Sequence, residues 1–184
     1  MMRIKSVWPR RFLWHAGGSV AVEFAILAPV IILMLACLYE FGTAFQAMTA
    51  ANRLASEYAI SWADCVDNPT GTCQTEMGLY TPAASIGNIA PQLTASRVGL
   101  QMFQVSMSGT TPNVTYSYPS GAALSAAQTT AAQASLTTGE NGVIVTVNYT
   151  YIPAVFGGLT IPGFGNIIPT AGFPMSYTVV QLKA

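Results

Sequence analysis

At 184 residues the chain is long enough for a domain with a sizeable core, yet only 8% of its residues are charged, against about 25% in ordinary soluble domains. Mean hydropathy is +0.45 and the formal net charge is zero. That zero hides a segregation: Arg3, Lys5, Arg10, Arg11 and the single histidine, His15, all precede the seven acids. Beyond Gly18 three basic side chains (Arg53, Arg97, Lys183) face seven acidic ones, a net of −4, which excludes a basic patch for nucleic acid. With no histidine after position 15, a Ser-His or Cys-His pair is excluded there, and no HExxH, P-loop or dinucleotide fingerprint occurs. The residues therefore point away from an enzyme, a cofactor site and a small-molecule substrate.

Residues 1–18 form a short basic leader with Trp8, Phe12 and Trp14, and Pro9 discourages a continuous helix. The positive-inside rule places this end in the cytoplasm and sends the rest across the membrane. Ser19 to Tyr39 is a 21-residue apolar run, about 31 Å as a helix, matching a hydrocarbon core of roughly 30 Å. Glu23 is its one charge, and Pro29 in its interior predicts a kink or a lost hydrogen bond near Ala25. The helical pattern continues past the membrane. Phe41, Phe45, Met48, Ala51, Ala55, Tyr58 and Trp62 recur at intervals of three and four, and this stripe is expected to pack on a globular region or on neighbouring helices. One long helix is predicted over 19–63, lipid-embedded first and amphipathic afterwards.

Residues 64–96 are rich in Pro, Gly, Thr, Ser and Asn and read as an irregular connection with a short helix near Gln92. Cys65 and Cys73 flank a turn-prone run; in an oxidising compartment they would close a small loop worth about 2–3 kcal/mol, with two free thiols as the alternative. No further Cys or His is at hand to complete a zinc site, and no metal is expected. Asp64 and Asp67 are read as solvated loop residues rather than cation ligands. Strands are predicted over 97–107 and 114–118, a helix or a flexible insertion over 120–138, and a strand over 142–152. In the last of these Val143, Val145, Val147, Tyr149 and Tyr151 share one face, with Thr146, Asn148 and Thr150 on the other. A final strand spans 175–182, after a Gly- and Pro-rich apolar loop over 153–174 that is expected to pack on the sheet, touch a partner or sit at the membrane surface. The fold class is thus α+β: a long N-terminal transmembrane and amphipathic helix, then a small β-rich domain with an antiparallel sheet, divided as leader 1–18, helix 19–63 and domain 64–184.

Glu23 needs a physical reason, because a carboxylate within a bilayer segment costs a few kcal/mol and is normally paired or functional. Its setting is a short basic leader, Gly18, four small or apolar residues, then Glu23-Phe24 and a long apolar run. This resembles the class III signal of type IV pilins and pseudopilins. More narrowly, Gly-Ser-Val-Ala-Val-Glu-Phe-Ala-Ile-Leu-Ala-Pro-Val (18–30) and Tyr-Glu-Phe-Gly (39–42) resemble the TadE/TadG-like minor pilins of tight-adherence (Flp) pilus systems. Val-Ile-Val-Thr-Val-Asn-Tyr-Thr-Tyr-Ile-Pro (143–153) is similar to a strand near the end of TadE-like proteins, whereas 64–140 carries no resemblance.

The resemblance implies cleavage between Gly18 and Ser19 by a prepilin peptidase, with Gly17 a second choice that would move Glu23 to sixth place. It implies that Glu23 pairs with the N-terminal amine of a neighbouring subunit as a registry device. The implied partners are the bacterial inner membrane, the peptidase, other pilin or pseudopilin subunits and the assembly platform. The implied location is single-pass in the inner membrane, with the C-terminal domain in the periplasm, or incorporated in the pilus. The competing reading is a membrane-anchored or lipidated periplasmic protein unrelated to pili, for which Met34-Leu35-Ala36-Cys37 offers a faint lipobox.

Overall fold

The computed structural model describes residues 17–67, 82–157, 160–161, 165–166 and 171–183. The chain divides into two units, 1–39 and 40–184. In the first, the described residues are the opening of helix α1 (Gly17–Ala63), which runs through Pro29 unbroken. Proline carries no N–H, so one helical bond is missing there, and the helix accommodates the loss. Val20, Phe24, Leu27, Ile31, Leu35 and Leu38 all lie exposed, as a helix solvated on every side by hydrocarbon requires. α1 is long and apolar enough to cross a membrane.

The second unit is built on a four-stranded antiparallel sheet in the order β2-β1-β3-β6. Its strands are β1 (Val98–Ser108), β2 (Thr111–Tyr118), β3 (Asn141–Tyr151) and β6 (Phe173–Leu182), and two short strands, β4 (Thr160–Ile161) and β5 (Gly165–Asn166), pair separately. β1 and β2 are joined by Gly109-Thr110, where Gly109 at φ +62° supplies the left-handed backbone that a tight hairpin needs. Pro112 is tolerated because β2 is an edge strand. The long C-terminal pairing aligns Tyr151 with Phe173 at one end of the sheet and Gly142 with Leu182 at the other.

Period-two alternation on β3 splits the core in two. Val143, Val145, Val147, Tyr149 and Tyr151 pack with Leu100 and Met102 of β1 beneath the second half of α1. Helix α2 (Pro82–Ile89) covers the same face through Ile86, with Ala90 and Leu93 just after it. On the opposite face Ile144 joins Phe103, Val105 and Met107 under helix α3 (Ala126–Ser135). Thr146 also points there, and Gln128 of α3 makes its burial tolerable. The Gln128 side-chain amide donates to Thr146 Oγ1 (2.9 Å) and Gln101 Oε1 (3.2 Å), while its carbonyl accepts from Ser125 N (2.8 Å) in a capping box. Gly142 leaves room for Leu136 just past this helix, since a Cβ there would lie 2.5 Å from a Leu136 methyl carbon, which would have to move aside.

The structure redraws two expectations. The short helix expected near Gln92 lies at 82–89, with only a turn and a single 3-10 turn following it. The expected stripe of α1 packs only in its second half: Ala51, Ala55, Tyr58 and Trp62 are buried, joined by Ala47, Ala50, Leu54 and Ala59, whereas Phe41, Phe45 and Met48 are exposed. Small side chains let the helix backbone approach the sheet closely, which larger ones at the same positions would prevent. α1 crosses that sheet face obliquely, from contact with Tyr151 on β3 to Trp62 set edge-on against Tyr116 of β2 at 5.7 Å.

Leu54 is fully enclosed and Ile60 is exposed on the same helix. Leu54→Ala is expected to destabilise the protein by about 2–5 kcal/mol, and Ile60→Ala by under about 0.5 kcal/mol. Denaturant unfolding of the detergent-solubilised chain, followed by tryptophan fluorescence, measures both.

Candidate functional site: the carboxylates of α1

α1 carries a carboxylate near each end of its apolar run, and the two lie in opposite surroundings. Gly18 and Ser19 fall in the first turn of the helix, and Glu23 follows on an exposed face among Val20, Phe24 and Leu27. The structure thus puts Glu23 one helical turn beyond the Gly18-Ser19 bond, on a surface open to its surroundings.

Glu40, at the other end, is 8% exposed. Its carboxylate accepts from the Tyr151 hydroxyl at 2.7 Å and from the Val155 backbone N–H. The N–H groups of Phe156 and Ala154, on either side of Val155, add to the pull that favours its ionised form. The donors are available because β3 ends just before them: Pro153 has no N–H to extend the ladder, and the chain turns back on itself. Gly157 lets that turn close, since a Cβ there would lie 2.6 Å from the Pro153 carbonyl oxygen. The result is a small main-chain anion nest fitted to one helix carboxylate. Thr43, one turn along α1, completes it by bonding the Tyr151 hydroxyl (2.7 Å) and donating to the Glu40 carbonyl (3.0 Å).

Burial by itself would raise the Glu40 pKa, yet the donations from Val155, Tyr151, Phe156 and Ala154 outweigh it and hold the carboxyl below its ordinary value. Tyr151 moves the other way: burial, then the bond to Glu40 and its negative charge, push the phenol up, against the opposing effect of Thr43. Glu40 is therefore ionised and Tyr151 neutral over the physiological range. The arrangement is a charge-assisted clasp between α1 and the end of β3.

Sequence reasoning singled out Glu23 and passed over Glu40. The available signal was the Tyr39-Glu40-Phe41-Gly42 stretch, where a carboxylate directly follows the last residue of a lipid-length run. Of the two cysteines expected to pair, Cys65 is buried and disulfide-bonded, while Cys73 lies outside the described residues. Cys37 is free and exposed. Asp64 is exposed in a single 3-10 turn, and among the described residues no cluster of three His, Cys, Asp or Glu side chains is placed to hold a metal ion. An open cleft of about 330 Å³, lined by Phe45, Gln46, Thr49, Arg53, Ile89 and Gln92 among others, has walls that are mainly apolar or amide.

Glu40→Ala leaves the Val155 N–H without its acceptor and the Tyr151 hydroxyl with only Thr43 and the residue-40 carbonyl, and is expected to cost about 2–3 kcal/mol, with Glu40→Gln costing less. Because the folded pKa is depressed, the advantage of wild type over Glu40→Gln is complete above about pH 4.5, the ordinary value. It should shrink as pH falls below that value and vanish below the folded pKa. Denaturant unfolding of both proteins across pH 3 to 7 (about the range in which carboxylates titrate) checks the sign.

No curated protein and no solved structure matches the chain. Nearly the whole of α1, with both carboxylates in it, is where a known family is found. Residues 18–59 match the family model described as TadE-like protein, so the segment that carries Gly18, Glu23 and Glu40 is TadE-like.

Proposed function

We propose that the protein is a membrane-anchored minor pilin or pseudopilin that takes part in assembling a tight-adherence pilus. The observation that carries this reading is the TadE-like match beginning at Gly18, five residues before the exposed Glu23 of an all-round apolar helix. In this reading the basic leader stays in the cytoplasm and a prepilin peptidase cuts between Gly18 and Ser19. The new α-amine then opens a helix whose residues 19–39 span the inner membrane, with the globular unit in the periplasm.

Glu23 sets subunit registry. A carboxylate in hydrocarbon is costly unless it meets a positive partner, and the amine of a neighbouring subunit one turn along supplies one. Misregistered subunits leave both charges unpaired, so the penalty itself selects the stagger. The partners are accordingly other pilins and the assembly platform, and the protein acts without catalysis. Periplasmic exposure also accounts for a disulfide at Cys65, and we assign Cys73 as its partner.

The mature protein purified from native membranes is expected to begin at Ser19 by intact mass and N-terminal sequencing; an uncut leader, or a start elsewhere, would contradict the reading. Glu23→Ala is expected to be cleaved normally yet to be lost from co-purification with other pilins, whereas undiminished piliation would remove the registry role. Non-reduced peptide mapping should recover Cys65 linked to Cys73, and a free Cys73 would refute that pairing.

A further inference from the structure

The sheet order β2-β1-β3-β6 leaves two strands with a neighbour on one side only, both within the 40–184 unit. An edge strand turns alternate N–H and C=O groups outward, a template for a further strand that folded proteins ordinarily interrupt with proline, a bulge or charge. β2 has two of these interruptions: Pro112 lies within it, and its register against β1 shifts between Gln104 and Val105. β6 is left open. Its register against β3 runs unshifted from Phe173 to Leu182, those ten residues include no Asp, Glu, Lys or Arg, and Pro174 stands at the very start. Which groups point outward follows from one bond. The Lys183 N–H donates to the Asn141 carbonyl (2.9 Å) in the same register, so the odd-numbered residues of β6 turn their main-chain groups to β3. Those of Ser176, Thr178, Val180 and Leu182 therefore face away, and among the described residues no strand pairs with them. The side chains divide with the same parity: Met175, Tyr177 and Val179 are half-buried against the core under α1, and Val180 against the core under α3.

From this edge we infer that β6 pairs antiparallel with β6 of a second copy of the chain, about a two-fold axis at Val179. Three features select a second copy as the occupant. The register is self-complementary: with Val179 opposite itself, Ser176 meets Leu182 of the other copy and Thr178 meets Val180, so every outward N–H and C=O on both strands finds a partner. An axis at Thr178 would instead set Leu182 opposite Pro174, which has no N–H to give. The faces also match. Odd residues stay opposite odd ones, so Val179 meets Val179 and Tyr177 meets Gln181 on the face that carries the α1 core, and the half-buried apolar side chains there are covered by their own counterparts. Finally, charge is complementary in the simplest sense, since neither strand brings any to the ladder, and Lys183 stands opposite Met175, at the far end from its own counterpart. The pairing closes both open edges at once and joins the two sheets into one.

The inference lies wholly within the 40–184 unit and needs neither the leader nor Glu23, so an uncut leader would leave it standing. Its test uses full-length protein in detergent micelles, in a Cys37→Ser background, with Val179→Cys at the axis or Asn113→Cys on β2. Residues facing each other at a non-hydrogen-bonded site of an antiparallel ladder lie about 4.5 Å apart between Cα atoms, within disulfide reach. Under mild oxidation Val179→Cys is expected to give a disulfide-linked dimer at least about tenfold faster than Asn113→Cys, and adding Ser176→Pro, which removes one outward N–H, should slow that linkage at least about tenfold. Equal rates at 179 and 113, or linkage at 179 that Ser176→Pro leaves unchanged while unfolding stays native, would overturn the inference. Amide exchange of the unsubstituted chain gives a second reading that needs no variant to fold. The amides of Ser176, Thr178, Val180 and Leu182 should exchange rapidly in dilute monomer and at least about tenfold more slowly once light scattering shows dimer. Protection already complete in the monomer would mean that the chain's own residues cover the edge, and protection that appears only on adding other pilins would mean a strand from a different protein; either result overturns pairing with a second copy.

Discussion

A helix that is apolar on every side up to Tyr39 and one-sided from Glu40 must change its surroundings within a single residue step, and the clasp on Glu40 is how the chain manages that step. A carboxylate at such a boundary is stable in water or in a full set of hydrogen bonds, and costly in between. The chain supplies the bonds. Pro153 stops β3 from recruiting the N–H groups of 154–156 into its ladder, Gly157 allows the turn, and Tyr151 reaches across with its hydroxyl. Once Glu40 is fixed, α1 can lie only along the face of the sheet that carries Tyr151, and the alanines of its next five turns meet Val147, Val145 and Met102.

The rest of the unit follows from having both faces of the sheet covered. Six consecutive residues of β3, Gly142 to Val147, are buried, a run that an antiparallel strand with one solvated face would not tolerate. Thr146 is the polar exception, and its hydroxyl is shared among Gln128 and Thr178 (2.9 Å to each). Gln128 is itself the third residue of α3 and half of its capping box, so one side chain starts the helix and seats it on the sheet. Local and long-range preferences coincide at that residue, which is what lets a weakly helical stretch rich in Ala and Thr fold as one element.

Much of this was legible in the sequence because its signals were strong and local. The apolar run and the three-and-four spacing gave α1, and the alternation at 143–151 gave β3 and the partition of its faces. Two things were not legible. The first half of the stripe, Phe41, Phe45 and Met48, looks like core by residue type, yet it stays outside while alanines beside it are buried, and only Ala51, Ala55, Tyr58 and Trp62 further along pack on the sheet; periodicity identifies stripes, and how much of one is buried depends on where the helix meets the sheet. Glu40 was overlooked because its donors are main-chain N–H groups more than a hundred residues away, and no side-chain pattern announces them. Glu23 had the reverse character: its position relative to Gly18 is a purely sequential feature, and the fold adds only that it stands exposed on the helix.

The central claim is that α1 hands over from lipid to protein at Tyr39 and Glu40, while remaining one helix. A nitroxide scan at successive positions from 20 to 63 of the full-length chain in nanodiscs tests this most directly, with accessibility to oxygen and to a water-soluble relaxant read at each site. The account predicts uniform oxygen accessibility through Tyr39, with no helical period, then a 3.6-residue oscillation whose minima fall at Ala47, Ala51, Leu54, Tyr58 and Trp62. An oscillation already present between Val20 and Leu38, or none beyond Glu40, would contradict it.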